Sequence, residues 1–278
     1  MKELFNQLIQ LQELYFASEE HSLAGQKKQL EQLEESIEAL LKKLPDDTAA
    51  FFKTLQKNDP PAIAPVVNNT CYGCGMEIPT SLAAELLHMD KLYQCPTCSR
   101  FLYPYRGGKI NLHDPSIRHK LPRLGIERFS AENLMIPELE ADDKEGAITE
   151  LAELISKELF FEDSELLIDR ALKREAITST AIEHSLAFPH VRGVDAGSLT
   201  MAVGLKKKGI KFGAPRNQLT RIIFFLIIPV AASAFYLTLL AGLIEALHEK
   251  DSRDRLLDCE TREEAWDTLK ELTGEHIS

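Results

Sequence analysis

Cysteine is scarce in this chain, with five thiols in 278 residues. Four fall in two tight pairs, Cys71 with Cys74 and Cys95 with Cys98, and Cys259 stands alone far downstream. That pattern excludes a disulfide framework and suits metal binding in a reducing compartment. Positive charge is also in deficit. A net charge of −11 excludes a general binder of nucleic acid or of anionic membrane. The opening Met1-Lys2-Glu3-Leu4 leads into charged, helix-like sequence with no long apolar region, so the expectation is a cytoplasmic protein without a secretory signal. No internal repeat is present.

Long apolar runs are missing, with one exception. Ile222 to Ile244, "IIFFLIIPVAASAFYLTLLAGLI", carries no charge and is long enough to cross a bilayer. Pro229 divides it, however, into a β-branched and aromatic half and an Ala/Leu half. "RIIFFLIIP" reads as a buried strand, and a helix begins near Ser233. No membrane span is expected.

What the chain does have begins with a heptad. Ile9, Phe16, Leu23, Leu30, Ile37 and Leu44 recur every seven residues, and Leu33 and Leu40 supply the second core position in the later half. The seam weakens where Glu19 and Gln26 take the companion position. Pro45 ends the helix. So narrow a stripe needs a partner: a second copy of the chain in a homodimer, a hairpin around Gly25, or a short helix across "DDTAAFFKTLQ". "KNDPPAIAPVV" then reads as a proline-rich extended spacer. A basic connector follows the cysteines. Between Arg100 and Arg128 there are seven Lys/Arg (Arg100, Arg106, Lys109, Arg118, Lys120, Arg123, Arg128) against Asp114 and Glu127, a solvated linker or a local patch for an acidic partner or RNA.

From Phe129 the texture changes to mixed strands and helices, an α/β domain of about 150 residues. Asp143 is a candidate N-cap for an amphipathic helix with Ala147, Leu151, Leu154 and Ile155 on one face. "DSELLIDRALKREA" is a second helix, "SLTMAVGLKKKGIKF" alternates like a strand and turn, and the C-terminus is helical. The resulting fold class is multidomain: a helical coiled coil (1–58), a small zinc ribbon (69–105), the basic connector (106–128) and a C-terminal α/β domain with a mixed sheet flanked by helices (129–278).

Cys71-Tyr-Gly-Cys74 and Cys95-Pro-Thr-Cys98 are two C-x2-C knuckles twenty residues apart. Two residues between thiolates let one tight turn aim both sulfurs at a single ion, and two such turns complete a tetrahedron. Four thiolates leave no open position for water, so one structural Zn(2+) is expected, and not catalysis. Cys259 reads as a packed or surface thiol. The helical stretch followed by "CYGCGMEIPTSLAAELLHMDKLYQCPTCSRFLYPY" resembles the bacterial coiled-coil/C4 zinc-ribbon proteins, although this coil is shorter. The resemblance implies a cytoplasmic adaptor whose partners include the nitrogen-type sigma factor, secretion or flagellar components, or RNA.

The remainder of the chain resembles the mannitol/fructose/nitrogen-type enzyme IIA domain of the bacterial phosphotransferase system. The pieces "ALKREAITSTAI…LAFPH", "AVGLKKKGIKFGAP" and "RIIFFLIIPV" occur in the family's order. The resemblance implies that His190, at the end of the "FPH" motif, accepts a phosphoryl group from an HPr-type phosphocarrier. The chemistry is sound from the residues upward: an imidazole near its reference pKa of about 6.5 keeps a free lone pair at neutral pH. Pro189 restricts the backbone before it, and apolar Leu186, Ala187 and Phe188 anchor that backbone.

The same resemblance implies that Arg174 clamps phosphate oxygens, with Ser179 and Thr180 near the site or serving the turn. Two departures stand out. Tyr236 occupies the position of the family's second histidine; a phenol donates a hydrogen bond but carries no positive charge. The loop before His190, glycine-rich in the family, here holds Ala181, Glu183 and Ser185. His184 is either a replacement charge or an exposed loop histidine. The sequence therefore leaves two readings, a regulatory phosphocarrier and a non-enzymatic adaptor whose IIA-like half only binds.

Overall fold

The computed structural model describes residues 2–67, 69–104, 125–158, 164–194, 199–229 and 233–277. Arg106, Lys109, Arg118, Lys120 and Arg123 of the expected basic connector lie outside them. The chain divides into two compact units, 1–108 and 109–278.

In the first unit, helix α1 (Lys2–Leu23) and helix α2 (Lys27–Leu41) form a hairpin. Gly25 turns it with φ +68°, a conformation that costs a residue with a Cβ but not glycine. Of the three partners expected for the heptad stripe, the hairpin and the short helix α3 (Asp46–Asn58) are present in the chain itself, and Leu33, Ile37, Leu40 and Leu44 are buried. The expected seam fails in α1, where Ile9 and Phe16 are half-buried and Leu23 exposed, while Phe5, Leu8, Leu11 and Leu14 face the core. Gln26, which weakens the seam, is buried against the ring of His21, with Nδ1 and Oε1 2.6 Å apart. Asp46 and Asp47 in the first turn of α3 and Lys57 in the last match the helix dipole.

The spacer is only half a spacer. Its apolar second half becomes strand β1 (Ile63–Val67), which pairs antiparallel with β2 (Thr70–Cys71). After helix α4 (Thr80–Leu86), β3 (Tyr93–Gln94) and β4 (Phe101–Pro104) complete a sheet of order β2-β1-β4-β3, with β1 and β4 parallel. A buried cluster of Ala64, Cys71, Ile78, Leu86, Tyr93, Cys95 and Leu102 also takes in Phe5 of α1. Gln12 of α1 accepts the Ala62 N–H through its side-chain oxygen at 2.8 Å. Hairpin and ribbon therefore share one core.

The second unit is a six-stranded mixed sheet. Its elements are β5 (Met135–Ile136), α5 (Lys144–Glu158), α6 (Ser164–Ile177), β6 (Ala181–Ile182), β7 (Leu186–Ala187), β8 (His190–Val194), β9 (Thr200–Ile210), β10 (Thr220–Pro229), α7 (Ser233–Ala246), α8 (Lys250–Leu257) and α9 (Arg262–Thr273). Asp143 Oδ1 accepts the Gly146 N–H at 2.8 Å, so it caps α5 as its residue type predicts. The strand order is β5-β9-β10-β7-β6, and β8 also pairs with β10.

β10 is the centre of the sheet: antiparallel to β9, parallel to β7 and β8. Ile222 to Ile228 are buried on both faces, which explains the charge-free run. The same cause removes the alternation expected in β9, where Thr200 to Lys206 are all buried. The apolar tract breaks at Pro229 into strand and helix, as its composition predicts. No helix among the described residues is long and apolar enough to cross a membrane.

Candidate functional sites

The metal site is built from two turns of one small sheet. Cys71 ends β2 and Cys95 follows β3, so each knuckle starts from a fixed strand end. The four sulfurs lie within 4.8 Å of one another, with Cys71–Cys98 and Cys74–Cys95 both at 3.8 Å. A tetrahedron of ~2.3 Å zinc–sulfur bonds has edges of about 3.8 Å, so the thiols fit one zinc ion. Such an ion would cross-link the two knuckles.

Arg100 supports the site from behind. Its Nε donates to the Pro61 carbonyl at 2.8 Å, and its Nη2 pairs with Asp59 Oδ2 at 2.7 Å. Gly73 is required here, because a Cβ would come 2.5 Å from Arg100 Cδ. Burial pushes the Cys98 thiol up, but the Arg100 backbone N–H and guanidinium reverse this and bring it down to about 7. That favours the thiolate at this one ligand, whereas burial raises the Cys71 and Cys74 thiols, which a bound cation would have to offset.

The second site is built around β10. β7 and β8 run parallel to it, joined by Phe188 and Pro189. Phe188 stacks on Phe224 with ring centroids 5.2 Å apart, and the Leu226 N–H donates to the Pro189 carbonyl at 3.0 Å. Leu186, Ala187 and Phe188 are buried as expected. The first residue of β8 is His190, whose ring is 0% exposed. Its Nδ1 lies 2.9 Å from the Phe188 carbonyl. Arg192 Nε lies 3.3 Å from Nε2.

Tyr236, on α7, is brought beside His190 across 46 positions of sequence. The rings are 5.2 Å apart and the phenol oxygen is 3.5 Å from Nδ1. The guanidinium carbon of Arg192 sits 4.7 Å from the Tyr236 ring centroid. His190, Arg192 and Tyr236 thus form one packed trio.

Arg174 is buried in the last turn of α6, a helix that packs against β8, and its Nη1 donates to the Thr178 carbonyl at 3.0 Å. The two hydroxyls serve the turn that follows. Ser179 donates to the Phe212 carbonyl at 3.1 Å, and Thr180 donates its hydroxyl to Glu175 Oε2 at 2.7 Å. Glu175 itself is buried, and burial raises its carboxyl above the ordinary value of 4.5 against the pull of Thr180, Ser179 and Lys144.

His184 takes a left-handed conformation, φ 69°, as does Ser185, where a glycine-rich loop would have met no strain. The His184 ring packs on the edge of His248, 4.8 Å between centroids, and Glu183 pairs with Arg216 at 3.7 Å. Burial, then Arg253 and His248, lower the His184 pKa from 6.5. Cys259 is buried, with its sulfur 3.4 Å from the Arg255 carbonyl, a packed thiol.

Sequence reasoning missed Arg192. The signal was present: residues i and i+2 of a strand share a face, so an arginine two after a candidate nucleophile on a strand lies beside it.

Comparison with known proteins places these sites in context. Residues 128–272 match the family profile of the phosphoenolpyruvate-dependent sugar phosphotransferase system, EIIA 2, and residues 70–102 match the C4-type zinc ribbon domain. A fructose-specific EIIA component of Haloferax volcanii is 28% identical over 129 residues, 46% of this chain and 84% of that protein. A nitrogen regulatory protein of Pseudomonas aeruginosa is 24% identical over 147 residues, 53% of this chain and 96% of that protein. The solved structure of the nitrogen regulatory protein IIA-Ntr from Neisseria meningitidis aligns with 52% of this chain and 98% of its own, at 23% identity and a TM-score of 0.48.

Proposed function

The chain belongs to the EIIA type-2 family of the phosphoenolpyruvate-dependent sugar phosphotransferase system, and from that premise we propose that it is a regulatory phosphocarrier of the cytoplasm. An HPr-type donor passes a phosphoryl group to Nε2 of His190, and Arg174 contributes positive charge to the site. The hairpin and ribbon, held by one structural zinc ion, carry the partner-binding surface through which the phosphorylation state is read.

One observation carries this reading. The His190 ring is held at Nδ1 by the Phe188 carbonyl, while Nε2 faces a guanidinium. Phosphoryl transfer passes through a loose transition state in which positioning and charge stabilisation do most of the catalysis. A ring fixed on one nitrogen, with a cation beside the other, supplies both. Regulation is favoured over sugar uptake because the chain fuses the domain to a zinc ribbon.

A second reading is supported by the full burial of the same ring and by Tyr236 at the place of the family's second histidine. In it the domain is an adaptor and His190 is never phosphorylated. Incubation with phosphoenolpyruvate, enzyme I and HPr, followed by intact-mass measurement, separates the two. The carrier gives an acid-labile adduct of one phosphoryl group that is absent from His190→Ala. No adduct, under conditions that label a control IIA domain, leaves the adaptor.

A further inference from the structure

We infer that Arg192 is a latch on the nucleophile: its Nε–H covers His190 Nε2 at rest, and the same guanidinium takes up the phosphoryl oxygens once it swings aside, with the ring of Tyr236 as its platform. The inference rests on the carrier reading above and assigns a catalytic role to Arg192 and a positioning role to Tyr236.

The tautomer follows from donor and acceptor counting. Arginine has no acceptor, so the 3.3 Å contact makes Arg192 Nε the donor and His190 Nε2 the acceptor. The ring proton is therefore on Nδ1, where it donates to the Phe188 carbonyl at 2.9 Å. The lone pair that would attack phosphorus is the one the arginine holds. His190 is fully buried and Arg192 only half-buried, so of this pair it is Arg192 that reaches solvent.

Tyr236 has a different place from a second phosphate ligand. Its hydroxyl is 3.5 Å from Nδ1, on the side of the ring anchored to the carbonyl. Its face, 4.7 Å from the Arg192 guanidinium carbon, carries the cation. A guanidinium on an aromatic face can slide and turn without leaving it, because the attraction depends on the ring's quadrupole and not on one atom.

In the transfer, the Nε2 lone pair forms the new N–P bond. The donor's P–N bond breaks and its electron pair stays with the donor nitrogen. The proton stays on Nδ1, donated to the Phe188 carbonyl, so no proton has to leave His190. The arginine N–H groups freed from Nε2 are then beside a phosphoryl group whose oxygens they can bind in pairs.

The test measures the labelling rate from phosphorylated HPr and the imidazole 15N spectrum of the unphosphorylated protein, for wild type, Arg192→Ala, Arg192→Lys, Tyr236→Phe and Tyr236→Leu. Arg192→Ala is expected to slow labelling about 100-fold, and Arg192→Lys less, since it keeps the charge without the planar fork. Tyr236→Phe keeps the ring face and is expected to label at the wild-type rate, while Tyr236→Leu loses about fivefold. At rest, the Nε2 resonance moves toward that of a free lone pair in Arg192→Ala and stays put in Tyr236→Phe.

Labelling of Arg192→Ala at the wild-type rate overturns the latch and leaves the carrier standing. Tyr236→Phe as slow as Tyr236→Leu overturns the platform. An unlabelled wild type sinks the carrier reading instead, and the nitrogen spectrum then decides: an Nε2 resonance unmoved by Arg192→Ala overturns the latch as well. Thermal melts of each variant identify any loss that is only misfolding.

Discussion

Two arginines in this chain each lie two positions after a reactive side chain: Arg100 after Cys98 in the ribbon, Arg192 after His190 in the sheet. The first is buried and tied down by two backbone carbonyls and the Asp59 carboxylate. The second is half-buried and held by an imidazole nitrogen and the face of a phenol ring. The difference bears on the two kinds of chemistry proposed for these sites. A structural metal needs thiolates stabilised once and kept that way, so a locked cation suits it. The imidazole nitrogen and aromatic face beside the second arginine differ in kind from the carboxylate and carbonyls around the first. Under the carrier reading proposed above, a cation beside a transferable group has to re-orient.

The largest effect that sharpens this comparison is metal removal. Zinc binding of about 10–16 kcal/mol would be the cross-link between the two knuckles, so a strong chelator is expected to unfold the ribbon. Loss of amide protection in β1, β3 and β4 by hydrogen exchange would record it; a ribbon unchanged without metal would break the premise. The sign with pH follows from competition for thiolates: protons displace the metal, so this unit is expected to lose stability as pH falls.

Next come the arginines themselves. Arg100→Ala should cost about 2–3 kcal/mol, because it removes charge-assisted bonds from a buried guanidinium. Arg192→Ala should cost within about 1 kcal/mol while carrying the large loss in labelling rate. Urea unfolding of both variants tests the contrast, and equal stability costs would erase it.

The sheet unit should answer pH with the opposite sign at one buried carboxyl. Glu175 is raised above 4.5 by burial, so its contribution is fully present below about pH 4.5 and is lost as pH rises through its folded value. Glu175→Gln cannot ionise, and in urea unfolding the variant is expected to gain on wild type as pH rises from about 4.5 through the raised folded value. A constant difference would mean the carboxylate is fully compensated by Thr180 and Lys144.

The smallest expected effect is at His184, lowered below 6.5 by burial, Arg253 and His248. Its contribution is present above about pH 6.5 and lost as pH falls through the depressed value. His184→Gln should flatten the melting temperature over that acid limb without changing it at pH 8. A parallel shift at both pH values would assign the loop strain, and not the charge, to this residue.

The two units also differ in how much could be read in advance. The ribbon ligands are a local pattern, two residues between thiols, and the 3.8 Å sulfur spacing adds only confirmation of the fit. The Pro229 break, the Asp143 cap and the central strand were equally local. The hairpin at Gly25 was one of three choices, because a heptad stripe asks for a partner without naming it. β9 hid its double burial behind an apparent alternation, since Lys206 is buried with its amine on the Leu139 carbonyl.

Sequence alone determined the cysteine knuckles and the strand–proline–helix break, because each depends on neighbours along the chain: a turn, a fixed φ, an apolar run. His190 stood out only through the family resemblance. Only the tertiary structure decided which nitrogen of His190 is held, that Arg192 covers the other, and that Tyr236 presents its face to that arginine. Those contacts join residues of β8 and α7 that meet only after β10 has been placed between its neighbours, and a hydrogen-bond direction exists only once both partners are in position.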